Sequence, residues 1–311
     1  MRCNSDVLAW YTAHNQIDRR DFELIEKYGS PIHPLLDYYN PADPEVIKFH
    51  LKWIRRAAID VIVYSIFSTS LWSVYDIEKD KALPGIIDQL ENQKKEDKKL
   101  KICFILENYI DYFDLEQLNF IFLYLKNKFF DKPYYFHYKN KPLILFFVND
   151  FKNESIDKLI NKNSACEFHK IWWNIPGNQG WLYIEKYPQT VRKDFMPISP
   201  GFNSALEDLY TRDQLRIEPD NILYKRFCES PNLTDEEVKK KSNRQSRENG
   251  EFYKKQLKWA VKNNPEIIFI SGWNDWEYEN PIEPSKEEGL KFVDMTAKLL
   301  GRENEAKNYV D

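Results

Sequence analysis

Seven short apolar runs, separated by amphipathic stretches, constrain this chain more than any other feature. They are VLAWY (Val7 to Tyr11), DVIVYS (Asp60 to Ser65), KICFIL (Lys101 to Leu106), LILFFV (Leu143 to Val148), KIWWN (Lys170 to Asn174), FMPIS (Phe195 to Ser199) and IIFIS (Ile267 to Ser271). Strand-like runs that alternate with helical ones are the pattern of parallel strands joined by crossover helices. The best-marked helix is DPEVIKFHLKWIRRA. Asp43 stands at its N-cap, Pro44 at its first position, and Val46, Ile47, Leu51 and Ile54 on one face. Further helices are expected around Leu83 to Gln93, Leu115 to Lys126 and Glu248 to Asn263, with a closing helix over Lys286 to Leu299. The KNK of Lys139 to Lys141 reads as a turn between an edge strand and a central one.

No Gly-rich turn follows the first strand, which disfavours a dinucleotide-binding fold. The length of 311 residues suits an α/β barrel with insertions. The expected architecture is therefore an α/β fold of the (β/α)8 TIM-barrel type, one domain spanning 1–311. Its eighth strand is not identifiable, and the polar segment at about 203–247 reads as a long loop or insertion. With 42% hydrophobic and 15% aromatic residues the chain can build a sizeable core.

Charge and cysteines exclude several function classes. Lys+Arg number 45 against Asp+Glu 49, a net charge of −4 with neither sign concentrated in one half, so nucleic acid is a poor partner. Cys3, Cys103, Cys166 and Cys228 are scattered, with no CxxC pair and no histidine at ligand spacing, so neither a disulfide scaffold nor a metal site is indicated. No run of about 18 apolar residues is present, so membrane insertion is not expected. As written the chain would stay in the cytoplasm; a removed leader would make it secreted or periplasmic. Nothing in the sequence fixes an oligomeric state.

In a barrel the chemistry sits at the strand C-termini. Tyr11, Thr12, His14 and Asn15 follow the first run; the second leads to Trp72, the third to Glu107, the fifth to Trp172, Trp173 and Asn174. The last opens GWNDWEYENPIEP, with Asn274, Asp275, Trp276, Glu277, Tyr278, Glu279 and Glu283. Indoles stack on pyranose faces, while amides and carboxylates bind hydroxyls or supply paired acids for glycosidic cleavage. Bland alternatives stand beside these. Trp172 and Trp173 are adjacent in a strand and point to opposite faces, so one can serve the core. Glu107 could cap a helix or pair with a lysine. His14 and His33, in polar loops, have solvated or structural alternatives, and Asp60, at a strand start, sits on the stability face.

The segment from His33 to Phe67, HPLLDYYNPADPEVIKFHLKWIRRAAIDVIVYSIF, resembles the N-terminal signature of glycoside hydrolase family 71/99-like proteins. These include the family 99 endo-α-mannosidases and the WbsX-type polysaccharide-locus relatives. KICFILENY is similar to that family's third strand with its active-site glutamate, YPQTVRKDFMPISPGFN to its Pro-Gln and Ser-Pro-Gly-Phe segments, and the closing helix and strand to its C-terminal motif. The resemblance implies a (β/α)8 barrel that acts on glycans without metal or organic cofactor. It implies retention through an epoxide-like intermediate: one glutamate takes the proton of the sugar's own 2-hydroxyl, and a second, three residues later, is acid and then base.

The family motif is Asn-Glu-Trp-X-Glu-Gly, and this chain reads Asn274-Asp275-Trp276-Glu277-Tyr278-Glu279. Asp275 is one methylene shorter than the expected glutamate. Tyr278, with an ordinary pKa of about 10, is a poor acid near neutrality. Either Glu277 or Glu279 takes the acid role or the site has lost this reaction. Three readings follow. The first is a glycoside hydrolase acting on an α-linked, mannose-containing glycan or polysaccharide, with Asp275, Glu279 or Glu277, and Glu107 as its carboxylates. The second is a glycosyltransferase or other enzyme of cell-surface polysaccharide synthesis, which no nucleotide-sugar signature supports. The third is a carbohydrate-binding relative without catalysis.

Overall fold

The computed structural model describes residues 2–12, 20–68, 80–94, 99–108, 115–148, 154–172, 193–220, 230–242 and 244–309. Their strands are β1 (Asp6–Tyr11), β2 (Val61–Ser68), β3 (Lys101–Asn108), β4 (His137–Tyr138), β5 (Lys141–Val148), β6 (Glu167–Trp172), β7 (Phe195–Ile198), β8 (Phe202–Asn203), β9 (Arg244–Gln245) and β10 (Ile267–Ile270). Seven run parallel in the order β6-β5-β3-β2-β1-β10-β7, with β4 added antiparallel on β5. The pairing of β10 with β1, Asp6 opposite Ile267 through Ala9 opposite Ile270, returns the end of the chain to its beginning. That return distinguishes a barrel order from an open doubly wound sheet, in which the first strand lies inside and the winding reverses. The sheet curls into a half-barrel. Among the described residues no eighth strand of this parallel set is present, and residues 173–192, between β6 and β7 in sequence, lie outside them.

Strands buried on both faces need apolar residues at every position, which explains the unbroken runs. One face of the curled sheet carries Trp10, which meets Phe147 at 5.3 Å and Phe269 at 6.0 Å. Phe269 meets Phe195 at 5.4 Å, and Phe195 stacks on His169 at 5.5 Å. Rings from β1, β5, β10, β7 and β6 thus fill the interior. The next residue along each strand faces the other way. Tyr11 stacks on Tyr64, and Phe104 packs on Phe129 and Tyr135, in the layer under the helices.

That outer layer comprises α1 (Arg20–Tyr28), α2 (Pro44–Arg56), α3 (Ala82–Glu91), α4 (Leu115–Leu125), α5 (Glu154–Lys162), α6 (Ala205–Ile217), α7 (Asp235–Lys241), α8 (Glu251–Asn263), α9 (Lys291–Leu299) and the short α10 (Glu303–Ala306). Asp43 caps α2 as expected, its carboxylate accepting from the Glu45 amide at 2.8 Å. The KNK turn is real: Lys139 and Asn140 both have positive φ, 51° and 62°, as a two-residue hairpin turn requires. The last expected helix is shorter than its periodicity suggests. It begins at Lys291, because Ser285 bridges Gly289 and the Lys286 amide donates to the His33 carbonyl, which folds 285–290 into a turn. The segment at 203–247 holds α6, α7 and the β8–β9 pair. Its polar composition hides the stripe Leu206, Leu209, Arg212 and Leu215, which is buried.

The strand starts are braced by an ion pair between a buried arginine and a partly exposed aspartate. Asp60 accepts from the Val7 amide and from Arg302 Nη1, both at 2.8 Å, and Arg302 also donates to the carbonyls of Cys3, Ser5 and Ala58. Asp60 is therefore structural, as its position before a strand implied. Among the described residues no helix is long and apolar enough to cross a membrane.

Candidate active site

At the opposite end of the sheet, β10 runs into a loop over 271–285 that is folded back on itself. Gly272 is required there: a Cβ would lie 2.3 Å from the Asn280 carbonyl oxygen and 2.8 Å from its amide nitrogen. The Glu283 amide donates to the Trp273 carbonyl at 2.8 Å, which closes the loop, and the Trp273 amide donates to the Trp10 carbonyl, which docks it on β1.

Asp275 is almost sealed at 7% exposure, and its Oδ2 accepts from Asn280 Nδ2 at 3.2 Å. Asn280 is held in turn by the Ser199 hydroxyl at 2.9 Å, so the end of β7 helps to orient Asp275. Asn274, expected to touch substrate, spends its amide on Thr12, accepting from the backbone N–H at 2.8 Å and donating to the carbonyl at 2.7 Å. It braces the loop.

Two of the expected sugar platforms are core residues in this structure. Trp276 has no exposed surface and packs among Phe22, Ile25, Ile32, Tyr39, Val46 and Leu206, with its indole N–H donating to Glu283 at 2.9 Å. Tyr11 is buried under α2, its hydroxyl 2.9 Å from His50 Nδ1; strand alternation turns it outward, while Trp10 takes the interior. Tyr278 is 6% exposed and stacks on Phe202 at 5.3 Å with planes 11° apart. Its ring closes the loop against β8.

The two spare glutamates differ. Glu277 is buried at 5% exposure. Glu279, at a positive φ of 50°, accepts from Asn203 Nδ2 at 2.7 Å and lies on the β8–β9 pair. Burial raises its pKa, against the pull of Asn203, Arg244 and Arg247. Arg247 also grips the loop, donating to the carbonyls of Glu279 and Pro281 and to Glu288.

Glu107, the seventh residue of β3, sits on the interior face near the strand's C-terminal end, opposite Phe147 in register. The Ser65 hydroxyl donates to its Oε1. Burial pushes its carboxyl up to about 8, and the Ser65 hydroxyl and Trp10 indole offset this only in part. Glu107 therefore holds a proton at neutral pH.

His14, Trp72, Trp173 and Asn174 lie outside the described residues, and of Trp172 only the backbone is described, as the last residue of β6 opposite Val148. His33 is structural: its backbone amide and ring both meet Glu287 at 2.8 Å. Residues not anticipated as parts of the site are Asn280, Ser199, Asn203, Arg247, Ser65 and His50. Of these only His50 left a trace in sequence, as a polar residue on the apolar stripe of α2 between Ile47 and Leu51. Among the described residues no group of three or more His, Cys, Asp or Glu side chains is arranged to hold a metal ion.

Comparison with known proteins agrees with this geometry. The glycoprotein endo-alpha-1,2-mannosidase of Mus musculus is 26% identical over 290 residues, 82% of this chain and 57% of its own length. That of Xenopus laevis is 24% identical over 304 residues, 86% of this chain and 62% of its own. This chain thus spans less than two thirds of the length of these relatives. Among solved structures, the GH99 endo-alpha-mannosidase from Bacteroides thetaiotaomicron superposes with a TM-score of 0.57, covering 98% of this chain and 99% of that one at 15% identity. A glycoside hydrolase-like protein gives 0.59 at 12% identity, over 96% of this chain and 95% of that one. These two share the fold. The sequence profile of glycosyl hydrolase family 99 matches residues 4–166, just over half of the chain, and the chain belongs to that family.

Proposed function

We propose that this chain hydrolyses α-mannosidic bonds in a glycan, with Asp275 as the base and Glu107 as the proton-holding acid. The observation that carries the reading is a pair of unlike carboxyls at one end of the sheet. Asp275 stands at the family's first glutamate position, braced by Asn280, and Glu107 is kept protonated by burial with a pKa of about 8. Two titratable groups whose environments separate their roles are what acid–base cleavage needs. In the route the resemblance implies, Asp275 takes the proton of the sugar's 2-hydroxyl and that oxygen displaces the leaving group at C1. We place Glu107 in the acid role that the resemblance gives to a second glutamate: it protonates the departing oxygen and then takes a proton from the water that attacks C1, while Asp275 returns its proton to the 2-oxygen and the configuration is retained. The match to endo-alpha-1,2-mannosidases supports an α-mannose glycan as the substrate class.

A second reading, sugar binding without cleavage, is favoured by one observation: the family's second glutamate position holds Tyr278, a buried ring stacked on Phe202. The test is a panel of α-1,2-, α-1,3- and α-1,6-linked mannans and oligosaccharides, with product configuration followed by NMR. Release of reducing ends with retention, lost in Asp275→Asn and in Glu107→Gln, is the expected result. Binding by titration with no turnover in the unaltered protein would replace hydrolysis by the second reading.

A further inference from the structure

Four parts of the fold meet at one carboxylate that the cleavage reaction does not use. The Glu283 side chain is wholly buried and the His50 side chain nearly so. Glu283 Oε2 accepts from the Tyr39 hydroxyl at 2.7 Å and from Trp276 Nε1 at 2.9 Å, while its Oε1 lies 3.1 Å from His50 Nε2. The other ring nitrogen, Nδ1, lies 2.9 Å from the Tyr11 hydroxyl. Burial holds both tyrosines well above their ordinary pKa, so both are phenols, and Tyr39 donates to Glu283. Tyr11 and Glu283 hold the two ring nitrogens of His50 from either side, with donor and acceptor following the tautomer. Glu283 thus accepts two bonds at Oε2 and meets His50 at Oε1, so both of its oxygens are engaged.

We infer that His50 and Glu283 are positioning residues, which act through the Trp276 indole to set the orientation of the neighbouring Asp275. Trp276 is joined to Asp275 by one peptide bond, and its ring is held at its N–H by Glu283 and on its faces by the apolar cluster around Phe22 and Leu206. Asp275 itself has the Asn280 bond at 3.2 Å. Rotation of the indole would move the backbone on which Asp275 stands, and a misplacement of about 1 Å can cost roughly 100-fold in rate. The consequence for rate rests on the hydrolase reading above; the consequence for loop order does not.

The test uses the full chain with three substitutions, His50→Leu, His50→Gln and Trp276→Phe. Glutamine can bond to both Glu283 and Tyr11, leucine can do neither, and phenylalanine removes the indole N–H together with part of the buried ring volume. Hydrogen exchange of the amides over 273–283 is compared with that of β1 and β2, and kcat and KM are measured on the best α-mannan substrate. The expected result for His50→Leu and Trp276→Phe is exchange about tenfold faster in the loop with the strands unchanged, and kcat lowered about tenfold or more at a KM within about threefold. His50→Gln is expected to recover most of both losses. Equal acceleration in the loop and the strands would make the network merely structural, and unchanged loop exchange in both His50→Leu and Trp276→Phe would overturn the inference. If His50→Leu fails to fold, Trp276→Phe decides. If the unaltered chain turns over no α-mannoside, the hydrolase reading fails while the exchange measurement still decides this one.

Discussion

Asn274 forms a two-way amide bridge with Thr12, accepting from its backbone N–H at 2.8 Å and donating to its carbonyl at 2.7 Å. The side chain reproduces a backbone ladder pair just where the β1–β10 pairing, which ends at Ala9 opposite Ile270, has run out. The loop that carries Asp275 is thereby tied to the strand beside it by bonds of strand quality. Asn274→Ala leaves two buried backbone groups of Thr12 unsatisfied and is expected to cost about 1–3 kcal/mol. Urea unfolding of the purified variant checks the figure.

Glu107 makes stability and activity respond to pH in the same window. Its folded value, about 8, lies above the ordinary 4.5. Between these two the unfolded chain has shed a proton that the folded chain keeps, so this group lowers stability by roughly 1.4 kcal/mol per pH unit as pH rises through the window. Below 4.5 and above about 8 its contribution is level. Thermal melting of Glu107→Gln should show a flatter dependence between those values than the unaltered protein. As the acid, Glu107 should also make kcat fall as pH rises through about 8, and its replacement by glutamine should lower kcat about 100- to 10,000-fold. A pH–rate profile and single-point kinetics read both.

Tyr278 tests whether a phenol serves as the acid. Its ring is stacked on Phe202 and 6% exposed, so Tyr278→Phe should keep kcat within about threefold, whereas an acid role would cost at least about 100-fold. Tyr278→Ala removes the stacked ring and should destabilise by about 3–5 kcal/mol, measured by denaturant titration.

Arg302 offers the opposite control. It holds Asp60 and three carbonyls at the strand starts, at the opposite end of the sheet from the candidate acids. Arg302→Ala leaves a partly exposed carboxylate and three carbonyls without this donor and should cost about 1–3 kcal/mol in unfolding while KM at low temperature stays unchanged.

Much of the fold was legible because it is written in local chemistry. The apolar runs marked the seven parallel strands, Asp43 and Pro44 marked the start of α2, and the Lys139–Asn140 turn marked the β4–β5 hairpin. Helices α1, α5, α6 and α7 were missed or read as loop, since polar faces and short length dilute their periodicity. Position before a strand was also enough to assign Asp60 to the stability face.

The candidate site was legible in kind but not in orientation. Residue types at the strand ends determined that carboxylates and aromatic rings would collect there, and the order of the motif is the ground on which Asp275 is proposed for the family's catalytic place. Only the tertiary structure decided which way each one faces. Trp276 and Tyr11, expected to hold sugar, point into apolar layers because a curled sheet has two buried sides, and a strand-end residue can satisfy itself on either. The proton on Glu107 was likewise beyond the sequence. It comes from burial, which outweighs the opposing bonds from Ser65 of β2 and Trp10 of β1, partners that lie 42 and 97 residues away along the chain.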